Sequence, residues 1–144
     1  MNLSLPSETV FHKIESSIRN YRKFSQKNIS NEIKNITIDQ SMVLLFLDKY
    51  PELNQNEIAE LVFKDGASMT RMIDSMVKKL YLKRSMNEQD RRRYKIEITP
   101  KGKEILNKLP PIILNNRTKS LTGVTQVELM QLETILNKII TNCK

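Results

Sequence analysis

At 144 residues, 39% of them hydrophobic, with three glycines and five prolines, the chain is long enough for one domain with a real core and is no unstructured polymer. Twenty-four lysines and arginines against sixteen acidic residues leave a formal charge of +8, which suits nucleic acid, an anionic membrane surface or an acidic protein. No apolar run approaches the roughly 20 residues of a membrane span, and the single cysteine, Cys143, excludes an internal disulfide.

Met1 to Thr9 lacks the basic start and apolar core of a secretory leader, so a reducing cytoplasm is the expected setting. A first helix is predicted after Pro6-Ser7, where Phe11, Ile14, Ile18 and Tyr21 recur at three- and four-residue spacing. Asn28 to Asn35 is polar and reads as a linker or as a frayed end of that helix. Thr37 and Gln40 form a capping box before the apolar run Met42 to Leu47, which belongs at the centre of the fold. Tyr50-Pro51 ends this second helix, because a residue before proline is pushed out of helical geometry.

Asn54 and Glu57 make another capping box, and Leu53 can staple to Ile58. Ile58, Leu61 and Val62 are the expected inner face of a short third helix. Phe63 to Gly66 is a turn, and Asp65 caps a fourth helix reaching to about Leu80. Met69, Met72, Ile73, Met76 and Leu80 fall on one side of it, as core rather than metal or cofactor ligands. Ser68, Arg71, Asp74 or Ser75, and Lys78 fall on the other. That face is small and hydrogen-bonding at its start and basic at its end, as insertion into a major groove requires.

Leu82 to Ser85 and Tyr94 to Thr99 are predicted strands joined by a loop over residues 86–92, with Tyr94, Ile96 and Ile98 alternating inward. Between Lys78 and Lys95 stand eight basic side chains against two acidic ones, six of the chain's eight net positive charges. Three consecutive arginines repel one another unless an anion relieves them, so a solubilising hairpin is the weaker explanation. Thr99-Pro100 starts a fifth helix through Ile105, Leu106 and Leu109, which Pro110-Pro111 is expected to kink or break. Thr125 and Glu128 cap a sixth, with Leu129, Leu132, Leu136 and Ile139 in a heptad-like stripe.

The order defines a mainly α fold with a small β-hairpin wing, a winged helix-turn-helix framed by terminal helices. The chain resembles the MarR family of bacterial transcriptional regulators through residues 54–61 (Asn-Gln-Asn-Glu-Ile-Ala-Glu-Leu) and 68–74 (Ser-Met-Thr-Arg-Met-Ile-Asp). Arg84, the Asp90-Arg91-Arg92-Arg93 run and Ile98-Thr99-Pro100-Lys101-Gly102 complete the match. It covers almost the whole chain and is strongest from Ile36 to Lys108. One departure stands out: the family usually has glycine where this chain has Leu80. Either the helix ends differently, or burying Leu80 offsets a left-handed leucine, which costs about 1 kcal/mol or more.

The resemblance implies a two-fold homodimer held by the first and last helices, dividing the chain into an N-terminal dimerisation helix and linker (1–36), a DNA-binding lobe (37–103) and C-terminal dimerisation helices (104–144). It implies double-stranded DNA with a pseudo-palindromic operator as partner, the fourth helix in a major groove, and a wing arginine, Arg92, in the adjacent minor groove with Asp90 orienting it. A narrow minor groove concentrates negative potential, which favours arginine independently. Arg84, Arg91, Arg93 and Lys95 would contact phosphates; Ser68, Thr70 and Arg71 are candidates for base edges or nearby phosphates, with Lys78 beside them. A bidentate arginine on guanine is worth about 1–3 kcal/mol of discrimination.

The expected function is a homodimeric repressor released by a small molecule; the alternative is a DNA-binding regulator or architectural protein without ligand control. A small aromatic or phenolic compound is the candidate effector, and Phe11, Tyr21 and Phe46 could line its pocket, although core packing explains them equally well. No phosphate loop, nucleophile–histidine pair or carboxylate pair argues for an enzyme. No cofactor or metal is expected: His12 is the only histidine, and nothing around Cys143 lowers a thiol pKa, which favours an inert thiol over a redox switch.

Overall fold

The capping residues predicted from sequence start helices in the computed structural model, which describes residues 2–86, 88–90 and 94–144. Among the described residues are six α-helices, α1 (Val10–Glu32), α2 (Ile38–Lys49), α3 (Gln55–Leu61), α4 (Gly66–Lys78), α5 (Pro100–Ser120) and α6 (Gln126–Asn142), and one antiparallel hairpin, β1 (Leu82–Met86) with β2 (Tyr94–Ile98). The side chains of Thr37, Asn54, Asp65, Thr99 and Thr125 each accept a backbone N–H of the first turn that follows, which satisfies donors the helix itself leaves orphaned. No described helix is long and apolar enough to cross a membrane.

The core lies where α2 crosses the helix-turn-helix and α5. Val43, Leu44 and Leu47 of α2 are buried with Ile58, Ala59 and Val62 of α3, Met69, Ile73 and Met76 of α4, Leu82 and Ile96 of the hairpin, and Leu109 of α5. The methionines are core filler, as expected. Leu61 is not part of the inner face of α3: a seven-residue helix presents only the Ile58–Val62 edge inward, and Leu61 turns to solvent.

Two expectations are narrowed, and a third element is barer than its apolar stripe suggests. Of the two readings of Asn28 to Asn35 the linker fails and the continuation holds, though not as a frayed end: α1 continues to Glu32 and buries Ile29, with Ile33 closing the end of the helix in the same core. Asn35, with φ 62°, then makes the corner to α2; asparagine tolerates this left-handed geometry better than most residues. The apolar stripe on the first half of α1 packs little against the rest of the chain, since Phe11 and Ile18 are exposed. Of the two outcomes expected at Pro110-Pro111, the break does not occur: α5 runs as one helix to Ser120. Buried Leu109, Ile112 and Asn116 anchor it on both sides, while both proline rings stand at the surface, where carbonyls without donors can meet water.

Polar contacts tie the helices together. Asn28 Nδ2 donates to Asn116 Oδ1 (2.8 Å) between α1 and α5. Asp39, at the start of α2, pairs with Arg22 of α1 (2.5 Å) and with Lys64 of the α3–α4 turn (3.0 Å). The C-terminal helix differs from the rest. In α6 no residue is fully buried, and Val127, Met130, Leu132, Ile135 and Ile140 are exposed, while Leu129, Leu136 and Ile139 of the predicted stripe are half-buried.

Candidate nucleic-acid interface

The surface built by α4 and the hairpin follows from how α4 begins and ends. Asp65 accepts the Ser68 N–H (2.7 Å), and this hydrogen bond, followed by that of the Ser68 side chain, holds the Asp65 carboxyl below the usual carboxylate range. With Met69, Met72, Ile73 and Met76 buried, Ala67, Thr70, Arg71, Asp74 and Lys78 face outward, with Ser68 partly so. Arg71 Nη2 donates to Ser68 Oγ (3.1 Å), so the guanidinium is oriented before any ligand arrives. Thr70 Oγ1 donates to the Gly66 carbonyl (3.0 Å) and accepts from Gln55 Nε2 on α3 (2.8 Å).

At its other end, α4 closes with two nested bonds: Leu80 N–H donates to the Val77 carbonyl (3.0 Å) and Tyr81 N–H to the Met76 carbonyl (2.9 Å). That closure requires a left-handed residue, and Leu80 supplies it at φ 66° while 63% exposed. Neither alternative read from the sequence holds: the helix ends as it would with glycine, and Leu80 is not buried. Burial falls instead on the next residue, Tyr81, whose hydroxyl donates to the Asn35 carbonyl (2.9 Å) and whose ionisation burial pushes upward. Lys79 Nζ donates to the same carbonyl (3.0 Å). The Thr99 hydroxyl donates to the Leu80 carbonyl, and a Cβ on Gly102 would meet the Tyr81 carbonyl oxygen at 2.3 Å, so the start of α5 can approach the root of the hairpin only with glycine there.

The hairpin register sets Leu82, Arg84 and Met86 opposite Ile98, Ile96 and Tyr94, and Lys83 and Ser85 opposite Glu97 and Lys95. Leu82 and Ile96 are buried; Tyr94, expected inward, lies beyond the edge of the core and is exposed. Arg84 is half-buried and paired with Asp74 of α4 (2.5 Å), joining the hairpin to the outward face of that helix. Glu97 holds Lys95 (3.1 Å) and Lys83 (3.3 Å), and the hydrogen bonds from these two cations, that of Lys95 first, lower its pKa. Asp90 is exposed. Arg91, Arg92 and Arg93 lie outside the described residues, and with them the expected Asp90–Arg92 arrangement.

The structure therefore brings Ser68, Thr70, Arg71 and Lys78 onto one outward face, with Arg84 against its Asp74 edge. Of the pocket candidates, Phe11 is on the bare half of α1, Tyr21 is half-buried, and Phe46 packs on the core. Sequence reasoning passed over Gln55 and Glu97 as interface residues, and placed Asp74 on the outward face without its partner Arg84. The contacts Gln55–Thr70, Asp74–Arg84 and Glu97–Lys83 span 15, 10 and 14 positions along the chain, beyond the reach of local spacing.

Helix-turn-helix, basic hairpin and flanking helices together define a winged-helix DNA-binding protein. Residues 34–93 match the MarR family model. The chain is 30% identical over 106 residues to the HTH-type transcriptional regulator SarZ of Staphylococcus epidermidis, covering 74% of this chain and 70% of that protein. It belongs to the MarR family of transcriptional regulators, which are DNA-binding proteins and not enzymes. Among solved structures, a mutant of E. coli MarR complexed with operator DNA superposes with a TM-score of 0.85 at 21% identity, over 95% of this chain and 99% of that one. Bordetella bronchiseptica BpsR, whose DNA binding is regulated by 6-hydroxynicotinic acid, superposes with a TM-score of 0.84 at 20% identity, over 96% and 97%.

Proposed function

We propose that this regulator is a homodimeric, sequence-specific repressor that acts in the cytoplasm by covering a pseudo-palindromic operator with half-sites about one helical turn apart. The observation that carries the reading is the outward face of α4, where Ser68, Thr70 and Arg71 are held by local hydrogen bonds beside a basic hairpin. Arg71 and its neighbours meet base edges and adjacent phosphates. Arg92 enters the minor groove with Asp90 beside it, and Lys78, Arg91 and Arg93 contact phosphates. Arg84 and Lys95, paired with Asp74 and Glu97, exchange part of those pairings for phosphate on binding.

The bare apolar faces of α6 and of the first half of α1 support dimerisation through residues 1–36 and 104–144, with 37–103 as the DNA-binding lobe. Ligand release is the more specific reading, and BpsR makes aromatic acids the first compounds to titrate. A ligand bound between lobe and dimer helices would favour a spacing of the two α4 helices that no longer matches the duplex.

The test is a gel-shift titration on an operator selected from random duplex. Arg92→Ala should weaken binding at least tenfold without lowering the melting temperature, and unchanged affinity removes the wing assignment. If about ten phosphates are neutralised, log Kd should follow log salt with a slope of magnitude near 9. A flat response contradicts the footprint.

A further inference from the structure

Gln55 and Thr70 join the two helices of the helix-turn-helix across their outer surface. A threonine hydroxyl has one hydrogen and two lone pairs. In Thr70 the hydrogen goes to the Gly66 carbonyl of its own helix (3.0 Å), and the Gln55 amide takes a lone pair (2.8 Å). The hydroxyl is folded back and has no donor left for a ligand, yet the residue is exposed. With its hydroxyl proton and one lone pair engaged, the apolar group Thr70 has for a ligand is its methyl. Exposed Ala67, three positions earlier on the same face, sets a second methyl beside it.

We propose that Thr70 reads the C5-methyl of a thymine in the major groove by apolar contact, and that Gln55 is the positioning residue that keeps Thr70 in the rotamer that does so. The reasoning is chemical. A helical threonine divides between two rotamers, because either lets its hydroxyl reach a backbone carbonyl. Left to itself, Thr70 would present a hydroxyl or a methyl, and a hydroxyl both donates and accepts, so it separates the bases poorly. The thymine methyl is a distinct landmark of the major groove, and a threonine methyl is a fitting partner for it. Clamping the hydroxyl from α3 converts an ambiguous side chain into a specific one.

This inference rests on the DNA-binding reading above, and the experiment separates the two. Operator duplexes are selected from a random pool, each thymine of a half-site is replaced in turn by deoxyuridine, which lacks only the methyl, and Kd is measured by fluorescence anisotropy. For the natural protein one thymine per half-site should stand out, with deoxyuridine weakening binding about fourfold per half-site, the worth of one buried methyl. Thr70→Ser should bind thymine and deoxyuridine duplexes equally. Thr70→Val should keep the difference. Gln55→Ala should bring the ratio towards one in the natural background and leave it unchanged in the Thr70→Val background, where no hydroxyl needs holding; a merely structural glutamine would not show that dependence.

Indifference of the natural protein to every thymine methyl, or full discrimination by Thr70→Ser, overturns the methyl contact. An unchanged ratio in Gln55→Ala overturns the positioning role. If no duplex is enriched at all, the DNA-binding reading falls first and this one with it.

Discussion

Leu80 and Phe63 hold left-handed backbone, with φ of 66° and 58°, at positions where a helix stops, and both are exposed, Phe63 at 92%. A Cβ in that region of backbone space costs about 1–2 kcal/mol, and an exposed side chain recovers little of it by burial. Leu80→Gly should therefore raise stability by about 1 kcal/mol, seen as a melting temperature several degrees higher in a thermal scan, even after glycine's greater unfolded-state entropy. A lower melting temperature would mean that Leu80 makes contacts its exposure does not reveal. The departure from the family pattern at this position was visible in the sequence. Its resolution was not, because whether a leucine bends or the helix does depends on the nested bonds to Met76 and Val77 and on where Tyr81 is buried.

At the scale of elements, Asp39 holds three of them together: α1 through Arg22, α2 by its own position, and the α3–α4 turn through Lys64. Partial burial pushes its carboxyl pKa upward, but the hydrogen bonds and charges of Arg22 and Lys64 outweigh that and hold it below the usual carboxylate value. A depressed carboxylate contributes stability that is present above the unfolded-state pKa, near 4, and disappears as pH falls through the lower folded-state value. Asp39→Asn should thus be less stable than the natural protein at pH 7, with the gap narrowing below pH 4 in denaturant titrations run across pH. A gap that stays constant to pH 2 would show that the ion pairs contribute nothing beyond packing.

The legibility of each element follows from range. Capping boxes at Thr37, Asn54 and Thr125 involve residues three apart, so they could be read directly and recur as hydrogen bonds. Ile29 and Ile33 went unread because the asparagines around them masked a helix that tertiary burial sustains. At Pro110-Pro111 propensity argued for a kink or a break, and anchoring by Leu109, Ile112 and Asn116 keeps the helix continuous. The outward face of α4 was legible from its periodicity, whereas Gln55, which holds Thr70, and Arg84, which pairs with Asp74, come from other elements.

For the whole molecule, the decisive quantity is the apolar surface the protomer leaves uncovered. Val127, Met130, Leu132, Ile135 and Ile140 on α6, and Val10, Phe11 and Ile18 on α1, are exposed large hydrophobic groups, and they are the surface the proposed dimer would cover. On the proposed dimer, Ile135→Glu combined with Met130→Glu should shift the protein to a monomer in sedimentation velocity and abolish cooperative operator binding. The helix-turn-helix core, which neither residue enters, should keep its circular dichroism. A variant that stays dimeric would move the interface elsewhere.

The tandem prolines have a mechanical consequence. Each removes one rung of the ladder that stiffens α5, and the two gaps are adjacent, midway between the end that abuts the hairpin root and the end that leads into α6. Flexure of a rod concentrates at its weakest cross-section. Torque passed along this lever from either end would thus be taken up around residues 106–111, sparing the hydrogen-bonded turns to either side.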